Sequence, residues 1–497
     1  IINNIKYTDM ETKKNYYPLV IQGGMGVWIS DWFLARVVSV LGGLGTISGV
    51  MLEKVMVNIL QDGDPGGHIR RALATFPFQK YVKEILEKYF IEEGKKKGEK
   101  YKNVPSYTVN PPELLITLTI CAVYSFVWLA KEGHKNPISI NFLEKVAMPH
   151  LYAITGAMLA GVDFVTVGAG LPSQFPKVMD DILKGETAEY TIPVKGDNIK
   201  NWTMKFNPEA FFGAKLPPME KPKFLPIISS NLLADMLVKM IGKEDIYGFV
   251  AELDSAGGHN AKKKRPIDYT KLAEHGIPFW IGGATASPEM LQWALSVGAK
   301  GIQAGSIFAL CEDSHMDPSL RDRVRKLGFN KFRLDSSLDF VKRQKWIPWF
   351  IKIFTGSILV RCFKTLKVRT DPTISPTTFL FEVACLSGTL SEKDIYDSRK
   401  RVCNIGGLVT LYEKPNGDIG YMCSAEPEES YKKKGGNLKE TICRGCLCNG
   451  LFATCGLGDP IEPPIVTLGI YFGFLRKLMK HKKDRYWAID AMRYITN

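Results

Sequence analysis

A closed α/β barrel of eight strand–helix units is the fold this sequence predicts, and three observations predict it. Short apolar runs alternate with helix-period segments from residue 18 to about 310. Eight such runs occur, and most of them end in Gly or Ser. The runs are continuously apolar, as in strands buried on both faces of a parallel sheet. Eight parallel strands can close into a (β/α)8 barrel of the TIM type, which gathers their C-terminal ends at one face, where ligands sit.

In chain order the runs are PLVIQGG, GLGTISG, PISINF, DFVTVGAG, FLPIISS, YGFVAELDSAGG, PFWIGG and GIQAGS. Between them, apolar spacing predicts helices over residues 31–41, 112–131, 148–160, 172–183, 232–241, 269–275 and 287–296. Two insertions interrupt the series. Residues 54–111 form a charged, Lys-rich excursion, and residues 186–222 alternate at period two around Gly196 and Asp197, which predicts a β-hairpin. The expected organisation is a barrel over residues 1–320 carrying these insertions. A turn-rich, Cys-containing extension over 321–497 packs on it, helical and basic from Arg321 to Arg369.

The bulk numbers narrow the function classes. The 497 residues carry a net charge of +14, with Lys and Arg scattered apart from short runs at 95–97, 262–265 and 432–434. No basic helix and no interleaved aromatic platform occurs, so nucleic acid is not an expected partner. The stretch LLITLTICAVYSFVWLA (114–130) is uncharged but contains Thr117, Thr119, Tyr124 and Ser125, and it falls short of the roughly 20 residues a membrane span needs. It reads as a buried helix. A second apolar patch, 346–360, is broken by Pro348, Lys352 and Gly356 and reads as docking surface or irregular core. Ile1–Tyr17 is polar and charged, without an export-signal pattern, and the initial Ile suggests processing or an incomplete start. A reduced, cytoplasmic compartment is expected, with Cys121, Cys311, Cys362 and Cys385 as small core residues.

The glycine-ended strands point to an anionic, planar ligand. Glycine lets a backbone approach a phosphate closely enough to donate several N–H groups at once. IGGATASPE places Gly282 and Gly283 at a strand end, with Ser287 and Pro288 opening a helix. IQAGSIFA repeats the arrangement with Gly305 and Ser306. Together they make a phosphate site at the seventh and eighth strands. Across the mouth, IQGGMG brings Gly23, Gly24 and Met25 onto a flat ring, ISIN adds Asn141, and VGAGLP adds Gly168 and Gly170. A phosphate at one rim and ring contacts at the other suit flavin mononucleotide (FMN). No GxGxxG follows the first strand, which disfavours a Rossmann dinucleotide site.

These motifs, with GLGTISG, INFLEK, AGGHNA and WIGGATASPE, occur in order at barrel spacing over roughly residues 18–310. The chain thereby resembles the flavin-dependent nitronate monooxygenase family, formerly the 2-nitropropane dioxygenases, and shares much of the pattern with flavin-dependent enoyl-thioester reductases. The second half, with VRTDPTISPTTFLF, IGYMCSAEPEESY and CLCNGL, resembles an extended subgroup. The resemblance implies that His259 faces the flavin as a base or a substrate-positioning donor. It implies that Gly257 and Gly258 hold the ribityl-phosphate, that Gly282, Gly283, Gly305 and Ser306 bind the phosphate, and that Gly23, Gly24, Met25 and Asn141 touch the ring. A histidine base suits removal of an acidic carbon proton near neutral pH. The alternative is that His259 only hydrogen-bonds its loop. The cations Lys262–Arg265 either form a solvated face or attract a larger anion, such as a phosphate-bearing thioester.

Six of the ten cysteines follow residue 400, and CRGCLC brings three together. Cys403, Cys423, Cys446 and Cys448 are the best candidate set for Zn²⁺ or an iron–sulfur cluster, with Cys443 and Cys455 as substitutes. Packed thiols or a redox pair are the alternative.

The expected function is therefore an FMN-dependent oxidoreductase of the nitronate monooxygenase type. It oxidises a small anionic, carbanion-type substrate, with the flavin reoxidised by O2 or another acceptor. The alternatives are an enoyl-thioester reductase and a non-catalytic flavin-barrel scaffold or assembly subunit. Assembly as a homo-oligomer is compatible with the chain.

Overall fold

The structure is a computed structural model that describes residues 16–253, 255–257, 266–331, 379–382, 409–423, 432–435, 447–457, 464–469 and 471–497. In chain order it begins with β1 (Val20–Gln22), α1 (Trp32–Val40), β2 (Gly45–Ser48), α2 (Leu52–Gln61), α3 (His68–Leu73), α4 (Gln79–Tyr89), α5 (Glu113–Lys131) and β3 (Ile138–Leu143). It continues with α6 (His150–Leu159), β4 (Phe164–Gly168), α7 (Phe175–Leu183), β5 (Ala188–Lys195), β6 (Asn201–Phe206), α8 (Pro208–Phe212), β7 (Lys223–Ile228), α9 (Asn231–Ile241) and β8 (Phe249–Glu252). The last barrel units are α10 (Tyr269–Glu274), β9 (Phe279–Gly282), α11 (Pro288–Ser296), β10 (Gly301–Ala304) and α12 (Ser306–Ala309). The extension contributes α13 (Pro318–Lys331), β11 (Phe379–Glu382), β12 (Thr410–Glu413), β13 (Ile419–Met422), α14 (Leu447–Thr454), β14 (Ile465–Leu468), α15 (Gly473–Leu478) and α16 (Ala488–Thr496).

Eight strands form one parallel sheet in the order β1-β10-β9-β8-β7-β4-β3-β2. Gln22 N–H donates to Leu44 O at 3.0 Å and Leu44 N–H to Val20 O at 2.9 Å, which joins the two ends and closes the barrel. These are the eight apolar runs read from the sequence, and the (β/α)8 fold is confirmed. The expected helices are present. Asp31, Ser230 and Ser287 cap α1, α9 and α11 by accepting from Leu34, Leu233 and Met290 N–H. Helix α7 begins at Phe175 and not at Pro172, because Ser173 N–H is used in a turn to Leu171 O (2.9 Å).

Side chains two apart on a strand share a face, so the barrel interior builds in layers. Ile21, Leu44, Phe164, Leu225, Val250 and Trp280 make an apolar floor. One step up lie Thr46, Ser139 and Thr166, all fully buried, with the hydroxyls of Ser139 and Thr166 3.0 Å apart. Continuing the alternation along β2, β4 and β8 brings Ser48, Gly168 and Glu252 to the C-terminal rim.

The excursion over 54–111 folds as helices as far as Tyr89 and then as an irregular segment. In α4, Tyr81, Val82, Ile85 and Tyr89 are buried along one stripe while the lysines face out. The long apolar helix α5 is buried along most of its length against α2, α3 and α6, as expected of a core helix. The hairpin β5–β6 pairs from Ala188↔Phe206 to Pro193↔Asn201.

The extension is woven into both parts. Strand β12 adds to β5 in parallel and to β13 in antiparallel, making a four-stranded sheet. Glu413 accepts from Asn198 N–H, Asn198 Nδ2 and Ile199 N–H. The last helix, α16, packs against α1, α11 and α12, in the place of the eighth barrel helix. Tyr486 O–H donates to Ile307 O (2.7 Å) and Ala488 N–H to Asp313 Oδ2 (2.6 Å), fixing that return. Helix α13 runs through residue 320, the expected end of the barrel. Cys121 and Cys311 are buried core residues as expected, whereas Cys362, Cys385 and the 346–360 patch lie outside the described residues.

Candidate functional site

At the C-terminal mouth the strand-end loops surround a recess with an empty volume of about 1270 Å3, open to solvent. Around the rim in sheet order come Gly23, Gly24 and Met25, then Asn141, Gly168, Gly257, Gly283, and finally Gly305 and Ser306, where a Cβ at 305 would be 3.6 Å from Met25 Sδ. Residues far apart in sequence thus converge on one recess at the barrel mouth.

The loop after β1 is held by buried polar side chains. Gln22 Nε2 donates to Gly23 O (2.6 Å) and Ser30 Oγ (2.8 Å), while its Oε1 accepts from Thr46 N–H (2.9 Å). Ser30 Oγ accepts from Met25 N–H (3.0 Å), and Ser48 O–H donates to Gly26 O (2.6 Å). Gly24 passes so close to β3 that a Cβ there would stand 2.4 Å from Asn141 Cβ. In the loop after β9, Gly283 takes a φ of +102°, which L side chains rarely adopt, and its neighbour Ala284 one of +52°. Thr285 O–H donates to Gln303 O (2.8 Å), tying the loops after β9 and β10 together.

Two expected cofactor residues sit differently. Gly282 lies in the wall below the rim, where a Cβ would be 3.4 Å from Gln303 Oε1 and 3.6 Å from Val250. Gly170 is not among the lining residues and lies against Glu144, whose Oε2 would be 1.9 Å from a Cβ at 170. Burial holds the Glu144 carboxyl above its usual range. Gly258 and His259, like the Lys262–Arg265 run, lie outside the described residues.

The recess also contains residues with no motif to mark them. Glu252 and Gln303 approach it from β8 and β10, on either side of the side-chain-free Gly282. Gln303 Nε2 is buried and has no hydrogen-bond partner among the described residues. From the extension come Leu451, Thr467, Leu468, Gly469, Tyr471 and Phe474. The period-two reading of β8 and β10 would have found Glu252 and Gln303, but no local signal marks the six from the extension.

The chemistry of the residues present suits FMN. The orphaned Gln303 amide is a donor awaiting an acceptor, and two glycine-bearing loops approach at the expected phosphate rim. The metal expectation gains nothing. Cys423 follows β13 and Cys448 lies on α14, Cys403 and Cys446 lie outside the described residues, and among the described residues no three His, Cys, Asp or Glu side chains come together.

No protein-family model matches the chain, and neither does any curated protein sequence. Solved structures do resemble it. The enoyl reductase domain of MlnA, from the macrolactin biosynthesis cluster of Bacillus amyloliquefaciens, is 10% identical with a TM-score of 0.42, over 96% of this chain and 93% of that one. FabK from Thermotoga maritima is 16% identical with a TM-score of 0.37, over 63% of this chain, which spans 65% of FabK's length. Nitroalkane oxidase from Streptomyces ansochromogenes is 12% identical with a TM-score of 0.31, over 61% of this chain and 72% of that one. The barrel's own strand pairing establishes the fold.

Proposed function

We propose that the chain is an FMN-dependent oxidoreductase of the nitronate monooxygenase type. One observation carries the reading: glycine-bearing loops from β1, β4, β8, β9 and β10 converge with Asn141 on a single recess at the barrel mouth. In this reading Gly283, Gly305 and Ser306 hold the phosphate, Gly23, Gly24, Met25 and Asn141 flank the ring, and Gln303 Nε2 donates to a ring or ribityl oxygen. Bound FMN supplies two-electron acceptor chemistry, which no side chain of the protein has. The protein's share is to place the substrate carbon against the ring, exclude water, and remove the carbon's proton. His259, two positions after the recess residue Gly257, is the proposed base.

A second reading, reduction of an enoyl thioester, is favoured by the recess lining. Leu451, Leu468 and Phe474 give it an apolar wall, and among the described lining residues there is no Lys or Arg to neutralise a nitronate.

The test is the absorption spectrum of the protein as isolated and after incubation with FMN, followed by anaerobic titration. Oxidised-flavin bands bleached by propyl-2-nitronate support the first reading, and bands bleached by a nicotinamide support the second. A protein that takes up no flavin, or flavin that neither donor reduces, sinks both in favour of a scaffold.

A further inference from the structure

The recess wall nearest Ser306 is built by the chain's own extension. Gly469 N–H donates to Ser306 Oγ at 3.0 Å, across 163 positions of sequence. The same backbone crosses Gly257 so closely that a Cβ there would stand 2.4 Å from the Leu468 carbonyl carbon and 2.5 Å from Gly469 N. A Cβ at 469 would in turn stand 3.0 Å from Ser255 O. Two glycines facing each other and one hydrogen bond therefore seat this segment on the rim of β8 and β10. It is braced from behind by β11, which pairs with β14 from Phe379↔Leu468 to Glu382↔Ile465. Leu468, Tyr471 and Phe474 are at most 4% exposed and line the recess. Gly257, expected from the resemblance to serve the ribityl-phosphate, thus has a second reason to lack a side chain.

Resting on the reading that the recess takes FMN, we propose that residues 467–469 and 471–474 form a resident wall of the cofactor site. A hydroxyl has two acceptor positions and one hydrogen. The Gly469 N–H occupies an acceptor position of Ser306 and so turns the Ser306 hydrogen toward the phosphate. Tyr471 and Phe474 close the phosphate end from solvent. The phosphate-bearing ligand leaves only when this segment lifts, so exchange is slow and the extension is required for retention.

The experiment uses the full chain loaded with FMN. Limited proteolysis of the wild type is followed with and without FMN, reading cleavage between residues 447 and 478, and FMN release is timed by the return of flavin fluorescence for wild type and Tyr471→Ala. Expected are FMN protection of this segment and release at least tenfold faster from Tyr471→Ala. Equal cleavage with and without FMN, or unchanged or slower release from Tyr471→Ala, overturns the proposal; slower release would make the segment a competitor of the ligand. The proteolysis arm needs no variant and decides the matter if Tyr471→Ala does not fold. Wild type that binds no FMN removes the functional reading itself, and this proposal with it.

Discussion

Replacing Gly24 by alanine tests the site's tightest contact. Two carbons in contact sit about 3.5–4.0 Å apart, whereas the new Cβ would stand 2.4 Å from Asn141 Cβ and 2.9 Å from its Cγ. Rotating the Asn141 side chain does not relieve this, because the nearest atom is the Cβ itself. Nor can β3 retreat, since Asn141 is in register with Ser48 of β2 and Thr166 of β4. The loop after β1 must lift by about 1 Å, an overpacking cost of roughly 1–3 kcal/mol. That energy predicts a melting temperature lowered by about 1–3 °C, because an unfolding entropy of about 2.1 cal/mol/K per residue makes 1 kcal/mol worth about 1 °C in a chain of 497 residues. It also predicts FMN affinity weakened roughly tenfold to a hundredfold, if the ring must restore the loop's position on binding. Gly23→Ala is the control. Its Cβ would meet nothing nearer than 3.6 Å, so the fold is expected to keep its melting temperature. Thermal unfolding and flavin-fluorescence titration read both variants. Gly24→Ala with wild-type melting and wild-type FMN affinity would refute the close approach of this loop to Asn141 and the ring contact built on it.

Three further outcomes follow from buried or shared polar groups. Gln303→Leu removes a donor that has no partner among the described residues, so the cofactor-free melting temperature should stay or rise while FMN affinity drops roughly five- to tenfold, the worth of one net hydrogen bond; a lower melting temperature with unchanged affinity would count against the assignment. Burial pushes the Glu53 carboxyl up to about 7. A carboxyl whose folded value is raised binds its proton more tightly in the folded state. Its contribution is therefore fully present below the unfolded value near 4.3 and is lost as pH rises to about 7, a change of about 4 kcal/mol at most. Glu53→Gln should match wild type in denaturant melts at pH 4.5 and exceed it at pH 8; equal stability at both pH values would contradict this. Glu413→Ala deletes the acceptor for three donors of the 198–199 turn, so amide exchange in β5, β6 and β12 should quicken while β1–β4 stay protected; unchanged exchange would show the sheet is held by its backbone pairing alone.

Much of this molecule is legible in its sequence because the signals are local. A continuously apolar run between helix-period segments describes a strand buried on both faces wherever it lies, so all eight barrel strands could be read. Glycine at a strand end describes a tight loop, so the glycines that line the mouth after β1, β4, β8, β9 and β10 could be named before their convergence was seen. Gly170 shows the limit. In sequence it is indistinguishable from Gly168, yet it is glycine because Glu144 lies against it. Gln303 reads as one polar residue in a short strand. Only in the closed barrel does its amide become a buried donor without a partner.

The sequence by itself determined the eight strands of the barrel and the glycines at their ends, because each rests on neighbours a few positions apart. Tertiary structure alone decided that the chain's last helix fills the eighth place in the outer ring, and that Gly469 meets Ser306 across 163 positions. Such contacts arise when two surfaces with no common periodicity happen to fit, and a backbone passing over a glycine leaves no trace in the residues on either side of it.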